Sequence, residues 1–310
     1  MSAIIKACNV TNTPKNTGKQ CDTAMVATAM LIAVQRGLEF TLTDLLDPVG
    51  WLTTLIHEKK AFPLFGQTAP IREITNNKEA DIIVTLDDGL QVFLRYGIYN
   101  RVFGTTSGGL CYAEALASFL NSGYDIIEID QIGQMLARKN SNGTYSPLIT
   151  DFMQSPSPTL ADFKNTPYKN HFGYSFTPIE LINNGIIFKG AEALLSMTGL
   201  LDTVITQGTT AASTTKLYLG VKTACAETNL VASSIGTDLA DDANFEVTLI
   251  EDGTHPTVTA AAIVSGQIEL TGTFVSGKIY RVTGTAATVW LANDVEGYDG
   301  TTSYVDITIP

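Results

Sequence analysis

The best-marked pattern of apolar runs around a polar turn lies between residues 81 and 96. DIIVTL at 81–86 and LQVFLRY at 90–96 flank Asp87-Asp88-Gly89, and two β-prone runs around such a turn predict a hairpin. A helical pattern precedes it. Asp47 stands in N-cap position before Pro48, and Trp51, Leu52, Leu55 and Ile56 recur at the spacing of one helix face. A helix is therefore predicted over 48–60, with Lys59 and Lys60 where cations suit the helix dipole. The run 24–36 (AMVATAMLIAVQR) fits a buried helix or a buried strand. After the hairpin, 100–103 continues the sheet and Ser107-Gly108-Gly109 forms a loop. Residues 110–121 (LCYAEALASFLN) read as a helix with Leu110, Ala113, Leu116, Ala117 and Leu120 on one face. Strands are predicted at 124–130 and 134–138, then a surface loop over 151–170, strand material at 171–188 and a short helix at 190–200.

Near residue 201 the pattern changes to short strands rich in Thr, Ala and Gly. They are predicted at 216–221, 245–250, 258–264, 267–274, 278–283, 288–292 and 303–309, with Gly-containing turns between most of them. About seven short strands in a stretch of this length is the expectation for an immunoglobulin-like sandwich. The fold class expected is α+β: a mixed-sheet or β-barrel-like domain with covering helices, then an all-β immunoglobulin-like sandwich. The domain reading is an N-terminal arm at 1–23, an α+β assembly domain at 24–205, a linker at 206–215 and the sandwich at 216–310.

Charge sharpens this division. Residues 1–200 hold 18 carboxylates against 15 lysines and arginines, whereas residues 201–310 hold 13 against 4. Charged residues make up only 16% of the chain, against about 25% in a typical soluble protein. That shortfall points to surface covered by copies of the same chain. A net charge of −12 with no Lys/Arg cluster argues against a nucleic-acid-binding surface. A channel lined with carboxylates would instead let DNA slide without sticking. The first 20 residues do not read as a signal peptide, and the longest apolar stretch, 24–34, is too short for a membrane helix, so no membrane partner is expected.

Candidate chemistry is sparse. Cys8, Cys21, Cys111 and Cys225 show no metal-ligand spacing and are expected as free, mostly buried thiols, which fits a reducing cytosol. His57, His171 and His255 lie in unrelated contexts. The 104–109 loop lacks the lysine of a phosphate loop. Asp238, Asp241 and Asp242, and Asp294, Glu296 and Asp299, are acidic clusters that do not match the twelve-residue calcium loop. No catalytic residue, cofactor or metal is expected. Aromatic residues instead suggest packing between subunits, with Phe93, Tyr96, Tyr99, Phe103, Gly108 and Gly109 as candidate assembly positions.

The hairpin DIIVTLDDGLQVFLRY, the helix LCYAEALASFLN flanked by sheet, the His-poor acidic composition and the sandwich-like C-terminus together resemble a tailed-bacteriophage virion structural protein. They are most like a tail tube subunit carrying an immunoglobulin-like domain. YDIIEIDQIGQML and NSNGTYSPLITDF are similar to structural proteins of phages that infect Bacteroidetes. The resemblance implies a chain made in the host cytoplasm and located in the virion. It implies a homo-oligomeric ring, hexameric by that resemblance, with other virion proteins as partners and DNA passing through a lumen without specific binding. Two features depart from the family plan: the stretch at 24–60 precedes the sheet, and the acidity is concentrated in the outer domain. A head or connector protein, or a carbohydrate-binding adhesin using the sandwich, are the alternatives.

Overall fold

The computed structural model describes residues 4–6, 25–120, 123–150, 152–154, 168–178, 185–190 and 192–310. Among the described residues strands (43%) far outweigh helices (17%), so what is described is β-dominated with a minority of helix. It divides into two compact units, Met1–Thr198 and Gly199–Pro310.

Strands of the first unit are β1 (Ile4–Lys6), β2 (Thr28–Gln35), β3 (Ala61–Phe65), β4 (Glu73–Lys78), β5 (Ile82–Thr85), β6 (Gln91–Arg95), β7 (Tyr99–Thr105), β8 (Tyr124–Asp130), β9 (Met135–Lys139), β10 (Tyr145–Ser146), β11 (Phe152–Gln154), β12 (Asn170–Phe176) and β13 (Gly185–Phe188). Its helices are α1 (Pro48–His57) and α2 (Gly109–Ala117). Among the described residues a large sheet runs β1-β13-β9-β8-β2-β3, with β10 on β9 and β1 and β3 as its end strands. A second sheet runs β11-β12-β7-β4, and β5 pairs with β6 alone.

The ambiguous run at 24–36 is strand, because β2 is flanked by both β3 and β8 and buried on both faces. Met30 to Val34 are all fully buried. Side chains alternate across a strand, so Leu31, Ala33 and Ile126 meet Phe103, Phe172 and Tyr174 of the second sheet. Near the large sheet, Phe40 packs with Trp51 of α1 and Phe188 of β13. Helix α1 begins where Asp47 accepts from the Gly50 N–H at 3.1 Å, with Pro48 in its first turn. Edge strand β3 carries Pro63, which cannot donate to a ladder.

Expectations change in this unit at the N-terminal arm and at α2. Of the proposed arm at 1–23, Ile4–Lys6 pairs with β13 of its own chain, and the rest lies outside the described residues. The short helix expected at 190–200 is present as a 3-10 helix over Glu192–Ser196, among the described residues. Helix α2 is rotated from its predicted face. Leu116 is buried while Leu110 is 69% exposed, and Tyr112 and Phe119 pack on the core instead. Aromatic volume decided the orientation over the Leu and Ala spacing.

The second unit holds β14 (Leu201–Gln207), β15 (Lys216–Thr223), β16 (Phe245–Leu249), β17 (Val258–Val264), β18 (Gln267–Gly272), β19 (Ile279–Gly284), β20 (Tyr298–Asp299) and β21 (Tyr304–Thr308), with short helices α3 (Gly236–Leu239) and α4 (Ala287–Ala292). A β17-β18-β15-β14-β20 sheet and a β16-β19-β21 sheet share one apolar core, to which Leu217, Leu219, Ile268, Val247, Val282 and Ile307 contribute. The predicted linker at 206–215 is not one: it spans the end of β14 and the connection to β15. The predicted strand at 288–292 is helix α4. Its turn lets Trp290 be fully buried and donate Nε1–H to the Asn244 carbonyl at 2.9 Å. Gly300 lies under the indole, where an added Cβ would come within 2.3 Å of the ring. Both described cysteines, Cys111 and Cys225, are disulfide-bonded, against the expectation of free thiols.

Candidate functional site

The predicted hairpin forms as β5–β6. Its loop closes with Leu86 N–H on the Leu90 carbonyl and Gly89 N–H on the Leu86 carbonyl, both at 2.8 Å. Gly89 takes φ +81°, the left-handed conformation that ends a three-residue hairpin loop. The hairpin root is held firmly. Asp81 accepts the Gly97 N–H at 2.8 Å and pairs with Lys78 at 2.9 Å. The Lys78 ammonium and then the Gly97 N–H hold the Asp81 carboxyl below its ordinary range. No side chain fits at Gly97, where a Cβ would meet the Glu79 carbonyl oxygen at 1.9 Å.

Beyond this root the arm is apolar and uncovered. Cross-strand partners Val84 and Val92 share one face with Leu86 and Leu90 at the loop, while Ile83 and Phe93 share the other. Ile83 is 53% exposed, Leu90 and Leu94 are each 59% and Phe93 is 47%. A two-stranded hairpin is marginal by itself in water, and an apolar surface of this kind marks an interaction site.

The candidate assembly positions separate into four groups. Phe93 is exposed on the arm, and Tyr96 packs on it at 4.5 Å between ring centroids. Tyr99 is half-buried and stacks on Phe176 at 5.6 Å. Phe103 is fully buried between the two sheets and cannot meet a partner; it is a core residue. Gly108 and Gly109 are exposed at the start of α2, both at positive φ. There Asn170 Nδ2 donates to the Ser107 and Gly109 carbonyls at 3.1 and 3.0 Å. The aliphatic residues Val84, Leu86, Leu90 and Leu94 were not singled out from sequence. Their signal was present: apolar residues at odd and even positions alike, in a strand with sheet on neither face.

A second cluster, unannounced by any motif, lies where the two sheets of the first unit meet. Glu128 of β8 is 1% exposed. It accepts from Arg101 of β7 at 2.6 and 2.7 Å, from Thr28 of β2 at 2.8 Å, and from the Tyr174 hydroxyl of β12 in a short contact. Burial raises the Glu128 pKa, opposed by Arg101 and Thr28. Arg101 Nε is buried without a hydrogen-bond partner. The four residues come from both sheets, so the cluster braces them together. Nearby, Asp130 is fully buried and caps the following turn through the Ile132 and Gln134 N–H groups.

The histidines have separate local roles. His57 Nδ1 lies 2.8 Å from the Thr53 carbonyl one helical turn back, and His255 sits by Glu246 at 3.2 Å. His171 lies in β12 beside Gly104. The acidic clusters act as turn caps: Asp241 accepts the Ala243 N–H at 2.9 Å, and Asp299 accepts the Thr301 N–H at 3.0 Å. No group of three or more potential metal ligands occurs among the described residues. No helix among them is long and apolar enough to cross a membrane.

In the second unit each of the four cations is matched to a carboxylate. The pairs are Lys216–Glu269 at 2.7 Å, Lys222–Glu227 at 3.2 Å, Arg281–Asp306 at 2.8 Å and Lys278–Glu251. The remaining carboxylates leave a net repulsion for polyanions. No protein-family model matches the sequence, and no curated protein matches it.

Proposed function

We propose that this chain is a non-enzymatic structural subunit that associates with copies of itself. In its finer form the proposal is a tailed-phage virion protein, tail tube first and head or connector next, with an immunoglobulin-like second unit. The observation that carries self-association is the β5–β6 arm, a firmly rooted hairpin with aliphatic side chains open on both faces. Two sheets around one core in the second unit support the sandwich reading. Its fully paired cations support a solvated, repulsive exterior. A glycan-binding role draws less support, since Phe93 and Tyr304 are the exposed aromatic side chains among the described residues and belong to different units. Sedimentation velocity and negative-stain microscopy of the full chain test the proposal. Rings or polymers are expected, and a monomer at every concentration would overturn it.

A further inference from the structure

The β5–β6 arm carries its charges at its two ends. At the tip, Asp87 is exposed and has no hydrogen bond or ion pair among the described residues. Its neighbour Asp88 holds the turn by accepting the Leu90 N–H at 2.9 Å. At the root, Arg95 is exposed, and Asp81 at the same end is taken by Lys78. No charged side chain lies between these ends. The arm's own strands are therefore acidic at the tip, apolar along their length and carry the single cation Arg95 at the root, where Glu79 of the β4–β5 connection is also exposed.

Copies packed with their arms side by side in one direction would set tip against tip, two carboxylates against two. An antiparallel pair, or a step of one arm length along an assembly axis, sets tip against root. We propose that the arm docks on a second copy of this chain, with Asp87 of one arm against Arg95 of the next and the Val84, Leu86 and Leu90 face covered in the same contact. This rests on the self-association reading above and names the partner surface. Opposite charges at the two ends of one apolar strip specify register, which apolar contact alone does not. A cationic peptide would satisfy the tip but leave Arg95 unmatched, so the strip as a whole fits its own copy best.

The test uses the full chain in a sedimentation-velocity dilution series. Asp87→Lys and Arg95→Glu are each expected to weaken association by about tenfold or more. Mixing the two variants is expected to restore association, because the reversed tip of one matches the reversed root of the other. Asp87→Asn serves as the milder variant, and far-UV circular dichroism with thermal melting checks that each is folded. Folded variants that assemble like the unaltered chain would overturn tip-to-root docking and leave self-association standing. So would a mixture no better than either variant alone. An unaltered chain that stays monomeric would overturn both.

Discussion

The two units arrange the same kinds of side chain in opposite ways. The first buries an ion pair, Arg101–Glu128, between its sheets and leaves aliphatic residues in water along the β5–β6 arm. The second has one aliphatic core, leaves residues such as Leu201, Ile250, Val275 and Ile279 exposed at separated positions along the chain, and keeps its cations at the surface, where Lys278–Glu251 and Arg281–Asp306 have both partners more than a third exposed. Scattered apolar residues are ordinary on a protein surface, whereas the arm brings Ile83, Val84, Leu86, Leu90, Phe93 and Leu94 together in one hairpin. The concentration of apolar surface on the arm is why we propose association through the first unit.

That contrast can be broken most forcefully at the two cores. Trp290→Ala should cost the second unit about 3–5 kcal/mol, the usual range for a large buried aromatic. Arg101→Met should cost the first unit a similar ~3–5 kcal/mol by leaving Glu128 buried without its cation. Chemical denaturation followed by hydrogen exchange should show each loss confined to its own unit. Equal losses in both would mean that they unfold together.

A sharper separation comes from the arm. Replacing Leu86, Leu90 and Leu94 together by Ser should leave the melting temperature nearly unchanged, because these side chains bury little in the single chain. Association measured by sedimentation should be lost.

pH gives a smaller effect of opposite sign in the two units. Burial raises the Glu128 and Asp125 pKa values, so the folded chain binds more protons than the unfolded chain between the ordinary value, 4.5 for Glu128, and the raised one. Their contribution is best below that window and declines as pH rises through it. In the second unit, the Thr254 N–H lowers the Asp252 pKa and Arg281 lowers that of Asp306. Their contribution is present above the ordinary carboxylate range and is lost as pH falls through the lowered values. Glu73 and Asp81, on the surface of the first unit, are also lowered. Comparison with Glu128→Gln therefore isolates the buried group: the variant should flatten the first unit's stability between neutral and mildly acidic pH. An unchanged profile would remove Glu128 as the cause.

The smallest effect concerns Tyr112, whose hydroxyl is buried without a hydrogen-bond partner and whose pKa is raised by burial. Tyr112→Phe should be neutral or stabilising by about 1 kcal/mol in thermal melts.

Sequence was most informative where structure is local. The 81–96 hairpin and the Asp47-Pro48 helix start were readable because turn residues, cap and β-prone runs lie within a few positions of one another. Strand β8 was harder, since Tyr124, Ile126 and Glu128 alternate imperfectly with Asp125, Ile127 and Ile129; both faces are buried, so both had to be apolar or paired. Arg101 and Glu128 lie 27 positions apart, and nothing at either site announces the other. Phe103 was placed at an interface by aromatic content alone, whereas its strand phase, shared with Arg101, turns it inward. The helix at Ala287–Ala292 escaped because Trp290 is drawn to Asn244, 46 positions upstream.

Pro63 on the outer strand of the large sheet has a further consequence. A sheet edge of uninterrupted N–H groups is a template on which further chains can stack without limit, as in a fibre. With a proline in that row, an incoming strand finds the ladder interrupted, and open-ended growth from this side is blocked. If copies associate as proposed, contacts made elsewhere, such as at the β5–β6 arm, would be left to set the arrangement.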